Sequence, residues 1–501
     1  MQYDVIVIGS GISGLCSALV LAQHGLKTAV FEQARHMSPL LSRFRRGQSW
    51  FDCGYHYHGN FHRGSALEMF MRSMGLDALV DESIPMNSKA YDQLVCSNGS
   101  RIVLPTGMEA VRDSLKSQFP KDSKAIDAYL ERIQKVLDSS PFTNKDLPPE
   151  DATFSIIQDI DLQSFFDQIG ASAEFAEAIS NYGYFLYGVP WDETPFYLHA
   201  QVVGSFYQSA LSFRQGGDTV VQAFRKRFEE EGVDVFTESM VTKIVSTERR
   251  RLKGVMVRDA SGEEYFAKCR RCISTIHPRE LAAVLDPGVL RPFNMNRLCG
   301  FDETFSPFAI YLEVKDPPGE LYRSNVYHLA VNGHKLDKQN SLAILNYSEK
   351  PENGKTGICI LGQAWETTKG HDCHGIEEGF CRLSNEKNGQ PYEEYKEAMQ
   401  QYYFEKACQV LPELKQKARI VDAATPCSFE RYTRNWMGSI YGIRHTTDRA
   451  GLSPFSMVKG LYLAGQNIVA PGLMGAAISA FVACGCILGW NQYWNKVHEY
   501  R

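Results

Sequence analysis

Three features are missing from this sequence, and each absence excludes a class of protein. The 501-residue chain has no basic excess, because its 53 lysines and arginines stand against 58 aspartates and glutamates. A nucleic-acid-binding surface needs clustered positive charge, so we expect no nucleic-acid partner. No run of about 18 consecutive apolar residues occurs, which predicts that no segment spans a membrane. The 13 cysteines are odd in number and scattered singly, which excludes the disulfide framework of a small secreted protein.

The first residues also predict that the chain carries no signal peptide. The chain opens with MQYDVIVIGSG, which has neither the basic segment nor the apolar segment of a secretory signal. Because the cysteines also look unpaired, the sequence predicts a cytoplasmic protein, and peripheral contact with a membrane stays open. Apolar residues make up 44% and charged residues 22%, as in soluble globular proteins, and a chain of 501 residues predicts more than one domain.

The strongest positive signal is a strand, a glycine-rich turn and a helix near the N-terminus. Residues 3–8 (YDVIVI) predict a β-strand, and residues 12–24 (ISGLCSALVLAQH) have helical spacing. The turn between them reads GSGISG, and a second predicted strand, KTAVFE, ends at Glu32. A glycine motif between a strand and a helix, followed by an acid at the end of the next strand, is the dinucleotide-binding fingerprint.

Each residue of this fingerprint has a chemical role. Gly9 permits the tight turn, Gly11 lets the backbone approach a pyrophosphate, and Gly14 lets the helix pack close to the strand. The helix N-terminus faces the phosphate charge, and Glu32 accepts hydrogen bonds from the ribose hydroxyls. The pattern therefore predicts a bound dinucleotide, with NAD and FAD as alternatives.

A second strand, turn and helix near the C-terminus favours FAD. Residues 460–465 (GLYLAG) predict a strand that ends at a glycine, and residues 472–489 (GLMGAAISAFVACGCILG) predict a helix rich in glycine and alanine. Small residues allow close packing, and the N-terminus of this helix is placed to face a flavin. The alternative is a close-packed helix of the protein core.

These motifs resemble those of the FAD-dependent phytoene desaturase superfamily, and within it the branch of retinol saturases and carotenoid isomerases. Four segments carry the resemblance: GSGISGL with Glu32, FDCGYHYHG at 51–59, the stretch 188–217, and GLYLAGQN with PGLMGA at 460–476. They are distributed from one end of the chain to the other, so the resemblance covers the whole fold.

The resemblance implies an α/β fold of two domains. One is a Rossmann-like FAD-binding domain of the glutathione reductase or amine oxidase type, and the other is a mixed α+β substrate-binding domain. We predict a discontinuous FAD-binding domain, assembled from residues 1–90, 211–290 and 430–501. The substrate-binding domain then consists of residues 91–210 and 291–429.

The resemblance also implies FAD as the cofactor. Val241 is expected to bond the adenine through its backbone, and Arg43 is expected to neutralise the pyrophosphate. Two departures from the family lie at the expected cofactor, since the loop 38–47 (SPLLSRFRRG) lacks the usual pair of glycines and the carboxylate expected after Gln466 is replaced by an amide. A third lies before the central helix, where RQGG at 214–217 replaces the family's PxGG. The expected cofactor contacts are Gly9, Gly11, Ile12, Ser13, Gly14, Glu32, Gln33, Arg43, Gly54, His56, Val241, Gly465, Gln466, Gly472, Leu473 and Met474.

The resemblance further implies a reaction at carbon–carbon bonds of a small apolar substrate, either a polyene or a long-chain lipid, by hydride exchange with the flavin. Saturation, desaturation and isomerisation stay open as alternatives, as does the external electron donor or acceptor. His56 and Tyr57 are the nearest candidates to deliver a proton. The aromatic stretch 182–207 is either protein core or the wall of a substrate tunnel. The expected tunnel residues are Tyr184, Phe185, Tyr187 and Phe206.

Two other functions remain as alternatives. An amine oxidase-like enzyme would share the fold but should place an aromatic pair beside the flavin, and residues 464–476 contain no aromatic residue. A non-catalytic flavin-binding protein would explain the two departures from the family at the cofactor. We predict no metal site, because neither Cys269–Cys272 nor the cluster at 371–374 has the second pair of ligands that a zinc site needs.

Overall fold

The computed structural model describes residues 1–147, 160–286, 288–332, 335–349, 354–364, 390–449 and 451–500. The cysteine and histidine cluster at 371–374 lies outside these described residues. Within them, no helix combines the length and the apolar character that crossing a membrane requires.

The described chain alternates between helices and strands along its length. The strands are β1 Val5–Ile8, β2 Thr28–Phe31, β3 Arg43–Arg46, β4 Ser49–Asp52, β5 His58–Gly59, β6 Ser83–Pro85, β7 Asp92–Cys96, β8 Arg101–Leu104, β9 Ala210–Phe213, β10 Asp234–Phe236, β11 Met240–Ser246, β12 Leu252–Arg258, β13 Glu264–Lys268, β14 Arg271–Ser274, β15 Pro307–Lys315, β16 Asn325–Leu329, β17 Val331–Asn332, β18 Lys335–Leu336, β19 Leu342–Ile344, β20 Lys355–Gln363, β21 Ala418–Ala424 and β22 Leu461–Leu463. The α-helices are α1 Ile12–Gln23, α2 Ala66–Ser73, α3 Asp77–Glu82, α4 Met108–Gln118, α5 Ser123–Asp138, α6 Leu162–Gln168, α7 Ala173–Tyr187, α8 Phe196–Gln208, α9 Gly217–Glu231, α10 Pro278–Val284, α11 Pro292–Cys299, α12 Gln390–Val410, α13 Leu414–Lys417, α14 Pro426–Thr433, α15 Gly472–Leu488 and α16 Trp490–His498.

A five-stranded parallel sheet carries the glycine-rich motifs. Its strand order is β10-β2-β1-β14-β22, and each neighbouring pair is parallel. All residues of β1 and β2 are buried, as expected for strands of a parallel sheet that is covered on both faces. Val5 and Val7 pack in one core with α1 and α15, whereas Ile6 and Ile8 pack in another core with β12. This alternation follows from the two-residue period of side chains along a strand.

A seven-stranded mixed sheet forms a second layer. Its order is β21-β15-β20-β19-β16-β7-β8, in which β16 and β7 are parallel and the other neighbouring pairs are antiparallel. Tyr311 of β15 faces the core formed with α5, α7 and α8, and its neighbours Ile310 and Leu312 face the core formed with α12. Helices therefore cover both faces of this sheet.

The fold class is α/β, with a parallel sheet and a mixed sheet that are both covered by helices, as expected from the sequence. The strands of the parallel sheet lie in the segments that we assigned to FAD binding, and the strands of the seven-stranded sheet lie in the segments assigned to the substrate. The division of the chain into these two domains, with the boundaries given above, stays a prediction.

Candidate active site

A cavity of about 460 Å³ opens at the carboxyl ends of the parallel strands. The turns that follow β1, β2, β14 and β22 all contribute to its wall, through Gly11, Glu32, Thr275 and Gly465 respectively. The chain leaves β1 towards β2 on one side, while β14 pairs with β1 on the other side. Ligands of open α/β sheets bind at such a reversal of strand order, because the adjacent turns diverge and leave a crevice there.

The three glycines of the first motif have different environments. A Cβ atom on Gly14 would lie 2.0 Å from the carbonyl oxygen of Gly9, so only glycine lets α1 pack this close to the turn. Gly9 has a φ of 97°, a backbone conformation that favours glycine. By contrast, a Cβ on Gly11 would meet no atom within 4 Å, and Gly11 lines the cavity. Its missing side chain therefore leaves space in the cavity that a phosphate group can fill.

Two helix N-termini border the same cavity. Helix α1 begins after Gly11, and α15 begins after Pro471, where Gly472 also lines the wall. Neither helix has a side-chain cap or an acidic residue in its first turn. Their first backbone N–H groups and the positive ends of their dipoles are thus available to an anion. This arrangement fits the pyrophosphate of a dinucleotide.

The carboxylate of Glu32 is fixed at the edge of the cavity. Only 7% of the residue is exposed. One carboxylate oxygen accepts hydrogen bonds from the Ser10 backbone N–H at 2.8 Å and the Ser10 hydroxyl at 2.7 Å, and the other accepts from the Ala34 N–H at 2.8 Å. These bonds hold an acceptor in one orientation, which is what recognition of a ribose hydroxyl requires.

Most of the expected cofactor contacts meet at this cavity. Those that line it are Gly9, Gly11, Ile12, Ser13, Glu32, Gln33, Gly54, His56, Val241, Gly465, Gln466, Gly472, Leu473 and Met474. Gly14 and Arg43 do not. Gly14 lies behind the turn, and Arg43 faces Asp218, to which its backbone N–H donates at 2.9 Å and its guanidinium at 3.4 Å. Arg43 is therefore held by a carboxylate, and the helix N-termini are left to face the phosphates.

Apolar and aromatic side chains form a large part of the cavity wall, which we call the substrate end. They are Phe142, Leu186, Tyr197, Leu198, Val202, Phe206, Leu361, Phe429, Ile440 and Tyr441, and the uncharged polar residues Ser139, Ser140, Gln201 and Ser205 also line the cavity. Among the described lining residues, the only carboxylates are Glu32 and Glu280, and the only Lys or Arg is Arg434. Glu280 and Arg434 form an ion pair of 3.0 Å. This end of the cavity therefore presents no unpaired carboxylate or guanidinium to a ligand.

The aromatic stretch contributes less to the cavity than the tunnel interpretation expected. Phe206 lines the wall, but Tyr184, Phe185 and Tyr187 do not. All three are at most 6% exposed. Tyr187, for example, has its hydroxyl 3.0 Å from the Nδ1 atom of the buried His199. These three side chains of α7 pack between the helices and the sheet. They are therefore part of the protein core and not of the cavity wall.

His56 and Tyr57 both line the cavity but differ in their partners. The His56 ring makes no hydrogen bond with any residue that the structure describes, and burial lowers its pKa to about 4, so the ring is neutral near pH 7. The Tyr57 hydroxyl donates to the Oδ2 atom of Asp92 at 2.8 Å and lies 2.8 Å from the Tyr327 hydroxyl. Tyr57 is thus connected to a buried polar cluster and His56 is not.

Asp92 is the site residue that sequence reasoning missed. Its side chain is fully buried and accepts hydrogen bonds from Tyr57, from Tyr182 at 2.6 Å and from the Asn325 side chain at 2.5 Å. Burial raises its pKa to about 7. The signal in the sequence is an acid at the start of the apolar strand AYDQLV, a position where charged residues are rare.

The remaining histidines and cysteines of the described segments form no metal site. His58 is buried, with its Nδ1 atom 2.6 Å from the Tyr55 hydroxyl and its ring stacked on Phe213 at 4.9 Å. Cys269 and Cys272 are buried free thiols. In the part of the chain that the structure describes, no group of three or more histidine, cysteine or acidic residues is placed to hold a metal ion.

Comparison with known proteins agrees with this geometry. A family model described as flavin containing amine oxidoreductase matches residues 12–372. The chain belongs to this family. It is also similar to all-trans-retinol 13,14-reductase of Rattus norvegicus, with 27% identity over 98% of this chain and 86% of the relative.

Solved structures show the same fold. A Methanosarcina mazei oxidoreductase aligns with a TM-score of 0.63 at 14% identity, over 96% of this chain and 99% of that chain. Putrescine oxidase bound to putrescine aligns with a TM-score of 0.57 at 13% identity, over 97% of this chain and 99% of that chain. The family and the fold show that the protein is an FAD-dependent oxidoreductase, which confirms the cofactor and the enzyme class expected from the sequence.

Proposed function

We propose that this enzyme reduces a carbon–carbon double bond of an apolar polyene or long-chain lipid. The observation that carries the proposal is a single cavity, which reaches from the space beside Gly11 to the apolar wall at Phe206 without presenting an unpaired carboxylate or guanidinium at its substrate end. A long hydrocarbon substrate needs such a pocket, because apolar walls bind it and unpaired charges would have to be desolvated.

The name of the rat relative supports reduction as the direction of the reaction, because it is a retinol 13,14-reductase. Reduction of a double bond needs a hydride at one carbon and a proton at the other. Bound FAD, once reduced, supplies the hydride. The protein contributes the anion-binding helix N-termini, the apolar wall that excludes water, and a proton donor in the cavity, for which His56 and Tyr57 are candidates.

The test is reduction of a polyene by the purified holoenzyme. The enzyme is reduced with dithionite without oxygen, freed of excess reductant, and mixed with all-trans-retinol as the probe. We expect the flavin absorbance to return as the polyene absorbance is lost, and a product heavier by two hydrogens in mass spectrometry. A flavin that stays reduced in the presence of retinol and of longer polyenes would contradict the proposal.

Oxidation of an amine is the second candidate, because putrescine oxidase has the same fold. An ammonium substrate needs a carboxylate or an aromatic cage, and the carboxylate of Glu280 is already paired with Arg434. The cavity therefore favours the apolar substrate. Rapid bleaching of the oxidised flavin by putrescine or another alkyl amine would establish this second function instead.

A further inference from the structure

A cluster of hydroxyl groups and one carboxyl group lies directly behind the cavity wall. Asp92 begins β7 and pairs in register with Asn325 of β16, whose amide donates to Asp92 Oδ1. The Oδ2 atom accepts from Tyr57 and from Tyr182 of α7. Of these four residues, only Tyr57 lines the cavity, and its ring packs against that of Phe206 with centroids 4.7 Å apart.

The hydrogen bonds of this cluster have two possible arrangements, which differ in whether Asp92 carries a proton. When Asp92 is a carboxylate, Tyr57 and Tyr182 both donate to Oδ2, so the Tyr57 proton is committed to Asp92. When Oδ2 carries a proton, that atom is itself a donor, and a tyrosine oxygen must accept from it. The Tyr57 hydroxyl hydrogen is then released for another acceptor, because a phenol has one donor and can rotate it.

We propose that Asp92 stores the proton that Tyr57 delivers to the substrate during reduction of the double bond. This inference rests on the function proposed above. Asp92 acts through Tyr57 and is therefore a positioning residue, whereas Tyr57 lines the cavity. Glu32 and Glu280, the two carboxylates that line the cavity, bond Ser10 and Ala34 or pair with Arg434.

The step balances in atoms and electrons. The double bond accepts a hydride, which is two electrons and one proton, at its first carbon from the two-electron-reduced flavin. The second carbon forms a bond to the Tyr57 hydroxyl hydrogen, and the Tyr57 oxygen takes the proton from Asp92 Oδ2. Asp92 is left as a carboxylate with its three donors in place, and it regains a proton from water after the product leaves.

The surroundings of Asp92 raise its pKa into the physiological range, so that the acid and the carboxylate are both populated near pH 7. The titratable groups that face it are Tyr57 from the segment before β5, Tyr182 from α7, Tyr327 from β16, Tyr91 from the residue before β7, and Tyr207 from α8. All are tyrosines, and Asp92 forms no ion pair with any described residue, so no cation stabilises the carboxylate. Its pKa of about 7 follows from this burial.

Infrared spectroscopy of the holoenzyme tests the stored proton without substrate. We expect the C=O band of a buried protonated carboxylic acid to disappear as pH rises through 7. Tyr57→Phe removes one donor to the carboxylate, so the midpoint of this band should move to higher pH. The pKa of Asp52 is also raised to about 7 by burial, but Asp52 has no bond to Tyr57, and its band should stay in place. Absence of a band that moves in Tyr57→Phe would overturn the proposal.

Turnover tests the delivery. In the wild type, polyene reduction should fall as pH rises through 7, because the acid form is required. Asp92→Asn should lower turnover at pH 6 by roughly 10²-fold and remove this fall, with flavin content unchanged. Asp122→Asn is the matched control, because Asp122 is a buried carboxylate that bonds Ser172 away from the cavity. Wild-type turnover in Asp92→Asn, or a retained fall near pH 7, would overturn the inference.

The outcomes separate this inference from the proposed function. If the wild type binds FAD and shows the titrating band but reduces no polyene, the proposed function is contradicted. The protonated Asp92 is still observed in that case. A wild type that reduces retinol at the same rate and pH profile as Asp92→Asn contradicts this inference alone.

Discussion

The two ends of the cavity are built in different ways. The nucleotide end consists of backbone atoms and glycines from short contiguous motifs, in which each role depends on neighbours a few residues away. The substrate end consists of side chains from α8, α14 and separate loops, brought together only by packing. The difference teaches that a phosphate site can be predicted from local sequence, whereas an apolar wall depends on which face each helix turns towards the ligand.

The largest expected effect is at the nucleotide end. Gly11→Val should remove the flavin, because its φ and ψ of −60° and 171° suit valine and its Cβ would enter only the open cavity. The fold should survive, which far-UV circular dichroism and the unfolding midpoint check. Gly319→Val is the matched control, since its Cβ also meets no atom within 4 Å and Gly319 does not line the cavity. Normal flavin content in Gly11→Val would mean that the pyrophosphate does not bind beside Gly11.

The substrate end is tested by two phenylalanines of one aromatic stretch. Phe185→Ala should cost about 3–5 kcal/mol in the free energy of unfolding, because Phe185 is core. Phe206→Ala should cost less stability and weaken retinol binding by roughly tenfold to a hundredfold, because Phe206 lines the cavity. Urea titration and retinol fluorescence measure the two quantities. Equal effects of both variants on retinol binding would restore the tunnel interpretation for Phe185.

Two histidines of one segment both line the cavity, but only His58 bonds and stacks on protein partners. His56→Ala should keep the flavin and lower polyene turnover by roughly tenfold, the effect of one lost hydrogen bond, because the neutral ring lines the cavity without a protein partner while Tyr57 delivers the proton. His58→Ala should instead lose about 1–3 kcal/mol of stability, because the ring bonds Tyr55 and stacks on Phe213. With a pKa of about 4, His56 adds no step to the pH profile between 5 and 8. A step near pH 6 that His56→Ala abolishes would show a protonated His56.

The smallest expected effect is a pH dependence of stability. Burial lowers the pKa of His199 to about 3, below its unfolded value of about 6.5, so its contribution to stability is present above pH 6.5 and declines as pH falls towards 3. The loss of stability caused by His199→Gln should therefore shrink by roughly 1–2 kcal/mol between pH 7.5 and pH 5. Asp52 and Asp92 change the stability in the opposite direction as pH falls. They do so equally in the wild type and in His199→Gln, so their effects cancel in the difference between the two proteins. A difference that does not change with pH would mean that the pKa of His199 is the same in the folded and unfolded states.

The fold class and the nucleotide end could be predicted from the sequence, because the strand, turn and helix of residues 3–24 depend only on residues that are close together in the chain. The core faces of α7 could not be predicted, since Phe185 and Phe206 are equally aromatic and only the packing of two helices separates them. Asp92 was missed for a similar reason. Its partners Tyr57, Tyr182 and Asn325 come from three distant segments, and no local pattern joins them.

The positions of the parallel strands along the chain also determine when the flavin site can form during synthesis of the protein. Its strands come from residues 5–8, 28–31, 234–236, 271–274 and 461–463, so the first strand emerges from the ribosome long before its neighbour β14 and the edge strand β22. Gly465 and the N-terminus of α15 follow later still. A nascent chain can therefore form the first glycine turn early but cannot close the flavin site until Gly465 and α15 have been synthesised. Until then, the apolar faces of β1 and α1 depend on chaperones or on transient local contacts for protection.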